Sequence, residues 1–288
     1  MRSLLAATVA SLLATAAPAQ VPSVVTDTPV VESLVAQVMG SLGAPNAIVR
    51  AGADPHDFQL RPSQARSLNE AKAIFWIGPQ MTPWLAPAVE TSTASTKLSL
   101  LGVPGTEQRR YGDDNAAGGL DPHAWLDPDN ARIWLLAIAE ALAAEDGGNA
   151  ATYRANAEQA AAEIAALDAK LRMKAKAMTK GIVTSHDAYA YFAAHFGIHV
   201  VASLSEGDAA QPGAARMTAI RELLQGGTVT CIFPEAGHDP KAIITLAEGT
   251  NVKVGAALDP EGSALDPGAG LYSALMTALV DRIVACAA

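Results

Sequence analysis

Basic residues are the first thing this chain is short of. Lysine and arginine number 20 against 29 aspartates and glutamates, for a formal net charge of −9. A protein that reads phosphates needs a basic face, so no nucleic-acid partner is expected. Long apolar runs are the second shortage. After the run from Leu4 to about Ala16, no stretch reaches the roughly 20 residues a bilayer requires. That first run follows Met1-Arg2-Ser3 and precedes Ala17-Pro18-Ala19, so residues 1–19 read as a signal peptide cleaved before Gln20. Cysteine is the third: the chain has Cys231 and Cys286, neither of them just behind the cleavage point, which argues against a lipid anchor. The expectation is a soluble, periplasmic protein. An even cysteine count in an oxidising compartment favours one disulfide, with two buried thiols as the alternative.

What remains is an ordinary globular composition, half of it hydrophobic, over 288 residues. That length holds one large domain or two medium ones. Helical periodicity runs from Thr28 to Leu42, and Ala47–Arg50 reads as a buried strand. A helix starting at Pro62, with Ser63 as candidate N-cap, precedes a strand over 73–78. A short helix over 84–90 and a strand over 98–100 follow. Residues 102–120 are a long unpatterned loop, read either as a mobile flap or as a solvated segment. Asp127-Pro128-Asp129 caps a helix to about Ala144, which Gly147-Gly148 breaks. The alanine-rich segment 150–178 would extend roughly 40 Å as a helix, a strut between two lobes or a helix lying flat on one domain. Beyond it, strands at 181–184, 200–202, 229–233 and 252–254 alternate with helices at 188–195, 214–224, 241–248 and 271–285. Alternation of this kind predicts an α/β fold with mainly parallel sheets, whose ligand sites gather at strand carboxyl ends. The division reads as an N-terminal lobe over 20–149, a linking helix over 150–179 and a C-terminal lobe over 180–288.

Two tripeptides repeat: Asp54-Pro55-His56 and Asp121-Pro122-His123. Proline stiffens each turn and holds the preceding residue extended, so each histidine is aimed at little later entropic cost. His186 follows the strand over 181–184, and Asp259 lies just past the one over 252–254. Three imidazoles and a carboxylate suit a tetrahedral Zn²⁺ at about 2.0–2.2 Å. Two would come from each lobe, with the ion in the cleft between them. Asp266 is the runner-up for the carboxylate. Asp57, Asp121, Asp127 and Asp187 are candidates to orient the imidazoles. His195 and His199 read as structural, and His238 as a supporting or surface residue near Glu235, with a transient ligand role as the alternative.

These motifs resemble the metal-binding receptors of bacterial zinc and manganese ABC importers. The resemblance rests on Gly52–His56 with Arg61-Pro62-Ser63, on Asp121–Pro128 and on Ser185–Phe192. Phe233-Pro234-Glu235, Leu258-Asp259-Pro260 and Gly270–Met276 extend it over nearly the whole mature chain. It implies two α/β lobes joined by one long helix, a metal in the cleft, and delivery to a membrane permease. A periplasmic metallochaperone is a further expected partner, and the receptor is expected to be a monomer. Histidine at the third position is typical of the zinc receptors, where manganese receptors usually place glutamate. Zn²⁺ is therefore the expected cargo and Mn²⁺ the alternative, since a carboxylate makes the site harder. The sequence departs from many zinc receptors in one respect: loop 102–120 contains no histidine, only Glu107, Asp113 and Asp114. A zinc hydrolase is the competing class, but four protein ligands leave no place for a reacting water and no HExxH is present.

Overall fold

Short segments, two to five residues long, build the two sheets. The computed structural model describes residues 21–112, 119–205 and 212–287; the segment read from the sequence as a signal peptide, residues 1–19, and Asp113–Asp114 lie outside them. In the first half, β1 (Val24–Thr26), β2 (Asn46–Ala47), β3 (Ala73–Trp76) and β4 (Thr96–Ser99) form a parallel sheet in the order β2-β1-β3-β4. In the second, β5 (Gly181–Thr184), β6 (Val200–Ser203), β7 (Val229–Phe233) and β8 (Lys253–Val254) repeat that order as β6-β5-β7-β8, again all parallel. Every residue of β1, β3 and β5 is buried, as central strands covered on both faces must be.

Around the sheets run α1 (Pro29–Met39), α2 (Pro62–Glu70), α3 (Ala86–Thr91), α4 (Pro128–Glu145) and α5 (Ala150–Ala175). They are followed by α6 (Ala190–Phe196), α7 (Ala214–Gln225), α8 (Lys241–Ala247) and α9 (Leu271–Ala287). At 26 residues α5 is about 39 Å long. Its Tyr153, Ala157, Ala160, Ile164 and Leu171 are buried in an apolar core shared with α1, α4 and α9. The last helix therefore closes over the first. Ser33 Oγ on α1 donates to Ala269 O and accepts from Tyr272 N. Cys231 in β7 and Cys286 in α9 form a disulfide. No helix among the described residues is long and apolar enough to cross a membrane.

Several local readings shift, three of them with a physical reason. The strand β1 precedes the first helix and goes unnoticed in the sequence, because Val24-Val25-Thr26 merges with the apolar pattern of α1. The strand expected over 47–50 is shorter, although Ile48 N and Val49 N still donate to Thr26 O and Asp27 O. Helix α2 is capped at Arg61, not Ser63, because Pro62 takes the first helical position, where its missing N–H costs nothing.

Candidate metal centre

Each Asp-Pro-His turn is locked by its own aspartate. Asp54 Oδ1 accepts the His56 backbone N–H at 2.8 Å, and Asp121 Oδ1 accepts that of His123 at 2.9 Å. A side-chain acceptor reaching two residues on makes an Asx turn, and proline between the two sets its φ. The first turn is held further by Trp84 Nε1 donating to Pro55 O and by Phe58 packed against Trp84 in a tilted pair at 5.1 Å. The second is fastened to the C-terminal half. Tyr191 Oη donates to Asp121 O, and Trp125, fully buried, donates Nε1 to Pro260 O at 2.9 Å. Tyr272 Oη donates to Trp125 O at 3.0 Å.

His186 follows β5 at the end nearest the crossover between β5 and β7, where doubly wound sheets bind ligands. Thr184 Oγ1 donates to His186 O at 2.9 Å and fixes that corner. Glu235 stands at the end of neighbouring β7, and its backbone pairs once more with Leu258 beyond β8.

The three histidines meet. Ring centroids lie 5.5 Å (His56–His123), 5.5 Å (His56–His186) and 5.0 Å (His123–His186) apart, and one nitrogen from each falls within 4.8 Å of the others. Donors sharing a tetrahedral Zn²⁺ at about 2.0–2.1 Å stand roughly 3.3 Å apart, so adjustments on the order of 1 Å draw these nitrogens onto one ion. Their side chains are 6 % (His56), 0 % (His123) and 11 % (His186) exposed, which leaves little room for water. Two rings are oriented through Nδ1, His123 by Asp121 Oδ1 at 2.7 Å and His186 by Glu235 Oε1 at 3.3 Å. A carboxylate on Nδ1 fixes the tautomer that presents Nε2 and raises its basicity. The outer oxygens Asp121 Oδ2 and Glu235 Oε2 are buried with no hydrogen-bond partner among the described residues. Nearby, burial pushes the Tyr189 phenol well above its ordinary range, and the charges of Glu235, Asp259 and Glu261 push the same way.

Asp259 occupies a different place. Its Oδ1 accepts from Ser263 N (2.9 Å) and Ser263 Oγ (3.3 Å), and its Oδ2 from Ala264 N (2.9 Å). The carboxylates beside the imidazoles are Glu235 and Glu261, whose oxygens group with His186 within 4.8 Å. Glu261 Oε1 also lies 3.2 Å from His56 Nε2. Sequence reasoning places Glu235 near the cleft and passes over Glu261. The available signal is its position two residues after Asp259, in the same turn.

The remaining candidates disperse. Asp266, Asp57, His199 and His238 are exposed. Asp187 Oδ1 accepts from Ser203 Oγ at 3.5 Å. Asp127 caps α4 and pairs with His195 Nδ1 at 2.8 Å, while Asp168 on α5 pairs with His195 Nε2 at 2.7 Å. Asp127, Asp129 and His195 bring three donor atoms within 4.8 Å of one another, but Asp168 and Arg172 already occupy the His195 ring. It is an ion-pair cluster joining α4, α5 and α6. The expected loop is tied at both described ends: Arg109 N donates to Tyr191 Oη, Asp121 N donates to Arg109 O, and Arg110 bridges Leu120. From it Tyr111 meets His123 edge-on at 6.5 Å. A cavity of about 890 Å³ lies beside β6, lined by Arg109, Tyr111, His199 and Arg216, and the three histidines do not line it.

A family model described as the periplasmic zinc-uptake complex component A, ZnuA, matches residues 24–286. The high-affinity zinc uptake system protein ZnuA of Paracoccus denitrificans is 44 % identical over 99 % of this chain and 97 % of its own. Its counterpart in Brucella abortus is 29 % identical over 88 % of each. Among solved structures, a Mn-bound periplasmic metal-binding protein from candidatus Liberibacter asiaticus superposes with a TM-score of 0.79. It is 22 % identical, and the match covers 92 % of this chain and 98 % of that one, so the two share a fold.

Proposed function

The chain belongs to the ZnuA family of periplasmic zinc-uptake components, and from that premise we propose that it captures Zn²⁺ and delivers it to an ABC-type permease. The observation that carries the reading is the convergence of three buried imidazoles from separate segments of the chain. His56, His123 and His186 supply three donors, and a carboxylate of the segment after β8, assigned from the sequence to Asp259, supplies the fourth. A shell of four protein donors binds an ion and holds no water to activate, which separates a receptor from a hydrolase. Burial without covalent chemistry also suits a cargo that must leave again.

Mn²⁺ is the second reading. It is favoured by the two carboxylates beside the imidazoles. Affinity order works against it, because imidazole-rich sites bind zinc more tightly than manganese. The protein is exported as a monomer after cleavage near Ala19. Its lobes span 20–149 and 180–288, bridged by 150–179, and it receives zinc directly or from a periplasmic metallochaperone.

The test is metal analysis of protein recovered from the periplasm, alongside growth of a deletion strain on chelated medium. One equivalent of zinc, and growth restored by the wild-type chain but not by His123→Ala, is the expected result. Protein that carries no divalent metal and binds none after dialysis against zinc would remove the reading.

A further inference from the structure

We infer that the cavity beside β6 is a second ligand site, built for a small polycarboxylate, and that zinc arriving as such a chelate enters the ion site from it. The cavity measures about 890 Å³, within the roughly 300–1,000 Å³ usual for small-molecule sites. Arg109, Arg110 and Arg216 line it against the single carboxylate of Asp187, and His199 is also in the lining. The whole chain carries a formal net charge of −9, so this excess of guanidinium groups is a local reversal of sign. An arginine fork matches a carboxylate in geometry as well as in charge. Three of them around one cavity suit a ligand with more than one carboxylate.

Two of the guanidinium groups are anchored by the fold. Arg216 Nε and Nη2 donate to Ser203 O, at the end of edge strand β6, at 3.0 and 2.6 Å. Arg109 Cζ stands 6.0 Å from the centre of the Tyr191 ring, and its backbone N donates to Tyr191 Oη. Arg109 Nη2 pairs with Glu107, while Arg109 Nε is buried with no hydrogen-bond partner among the described residues. A buried N–H in that state is costly, and an acceptor brought by a ligand relieves the cost.

The cavity adjoins the ion site without including its histidines. Tyr111 lines it and meets the His123 ring edge-on at 6.5 Å. Asp187 lines it and is the residue after His186. An anionic zinc chelate is repelled by an acidic protein, except where a basic cavity focuses the field. From that cavity zinc passes by ligand exchange, carboxylate oxygens giving way to imidazole nitrogens, which suit zinc better. The polycarboxylate leaves as the free anion. The anion site stands on the cavity alone, whereas the loading route rests on the metal-receptor reading.

Citrate is the probe. Calorimetric titration of metal-free protein should show one citrate site with a dissociation constant below about 1 mM, weakening as salt rises. Arg109→Gln and Arg216→Gln should each lose about tenfold or more, the worth of one charge-assisted pair. Arg154→Gln, which breaks the exposed pair with Glu140 on α4, should lose nothing. Stopped-flow uptake supplies the second arm. Relative to loading from aqueous Zn²⁺, loading from zinc citrate should be about tenfold slower in both cavity variants than in wild type. Thermal melting of the metal-free variants checks that the fold is kept. Equal citrate affinity in wild type and both cavity variants would overturn the site. An aspartate-rich peptide that binds more tightly than citrate would overturn the assignment to a small ligand. An unchanged ratio of the two loading rates would overturn the loading route. Equal zinc affinity in wild type and His123→Ala, with citrate still bound, would sink the receptor reading and leave the anion site standing.

Discussion

Breaking the Cys231–Cys286 bond should destabilise the fold without touching the ion site. The bond closes a sequence separation of 55 residues between β7 and the end of α9. In the chain-entropy model, closing a loop of that length removes about 14 cal/mol/K from the unfolded state, or about 4 kcal/mol at 25 °C. A chain of this size melts with an entropy of about 2.1 cal/mol/K per residue, near 0.6 kcal/mol/K in all, so 4 kcal/mol lowers Tm by about 7 °C. Cys286→Ala is the suitable variant, because it deletes one sulfur near the end of α9 and leaves Cys231 as a small buried thiol. The helix that carries Cys286 also carries Tyr272, which supports Trp125 beside His123. Those two positions are 14 residues apart, about 21 Å along the axis, so the site end of α9 should stay seated. Calorimetry of metal-free protein measures the first effect, since bound ion would mask it, and chelator competition measures the second. A Tm shift below about 2 °C would refute the entropic account. A loss of zinc affinity above tenfold would refute the view that α9 is held at its site end by packing and Tyr272.

Removing His123 by His123→Ala deletes a fully buried donor and leaves Asp121 with no imidazole to orient; zinc affinity should fall at least roughly 1,000-fold by competition titration, a loss of about 4 kcal/mol. His195 supplies a pH-dependent term. Burial acts to lower its pKa, but the hydrogen bonds and charges of Asp127 and Asp168 together raise it above the ordinary value. Protonation is therefore favoured in the folded state, so its stabilisation is fully present below the unfolded pKa near 6.5 and is lost as pH rises through the raised folded value. In denaturant titrations, His195→Gln should cost more at about pH 5.5 than at about pH 9.5; an equal cost at both would show that the charge of the ring contributes nothing. Trp125→Phe removes the donor to Pro260 O inside a buried contact, leaving that carbonyl unsatisfied. It should cost about 1–3 kcal/mol in urea unfolding and loosen the turn that carries Glu261.

Much of the architecture could be read from pattern. Apolar runs of four or five residues alternating with helical periodicity specify parallel α/β units wherever they occur, because only covered sheets bury such strands on both faces. Strand β1 escapes such a reading because three residues carry no period of their own. The Asp-Pro-His turns are legible for the same kind of reason: proline and an Asx acceptor act within three residues, so local sequence suffices to build them.

Local chemistry, then, determined that this chain would present histidines at 56 and 123 on stiff turns and one at 186 on a strand end. It did not determine how the carboxylates after β8 would stand to them. Asp259 and Glu261 are two residues apart, and either is chemically able to bind a cation. What separates them is a set of long-range hydrogen bonds, Trp125 to Pro260 and Gly52 to Ser263, that orient the turn so that one carboxylate fastens it and the other faces His56. Contacts between residues more than a hundred positions apart leave no periodic trace in a single sequence. They exist once the two sheets and the closing helix have packed into one core.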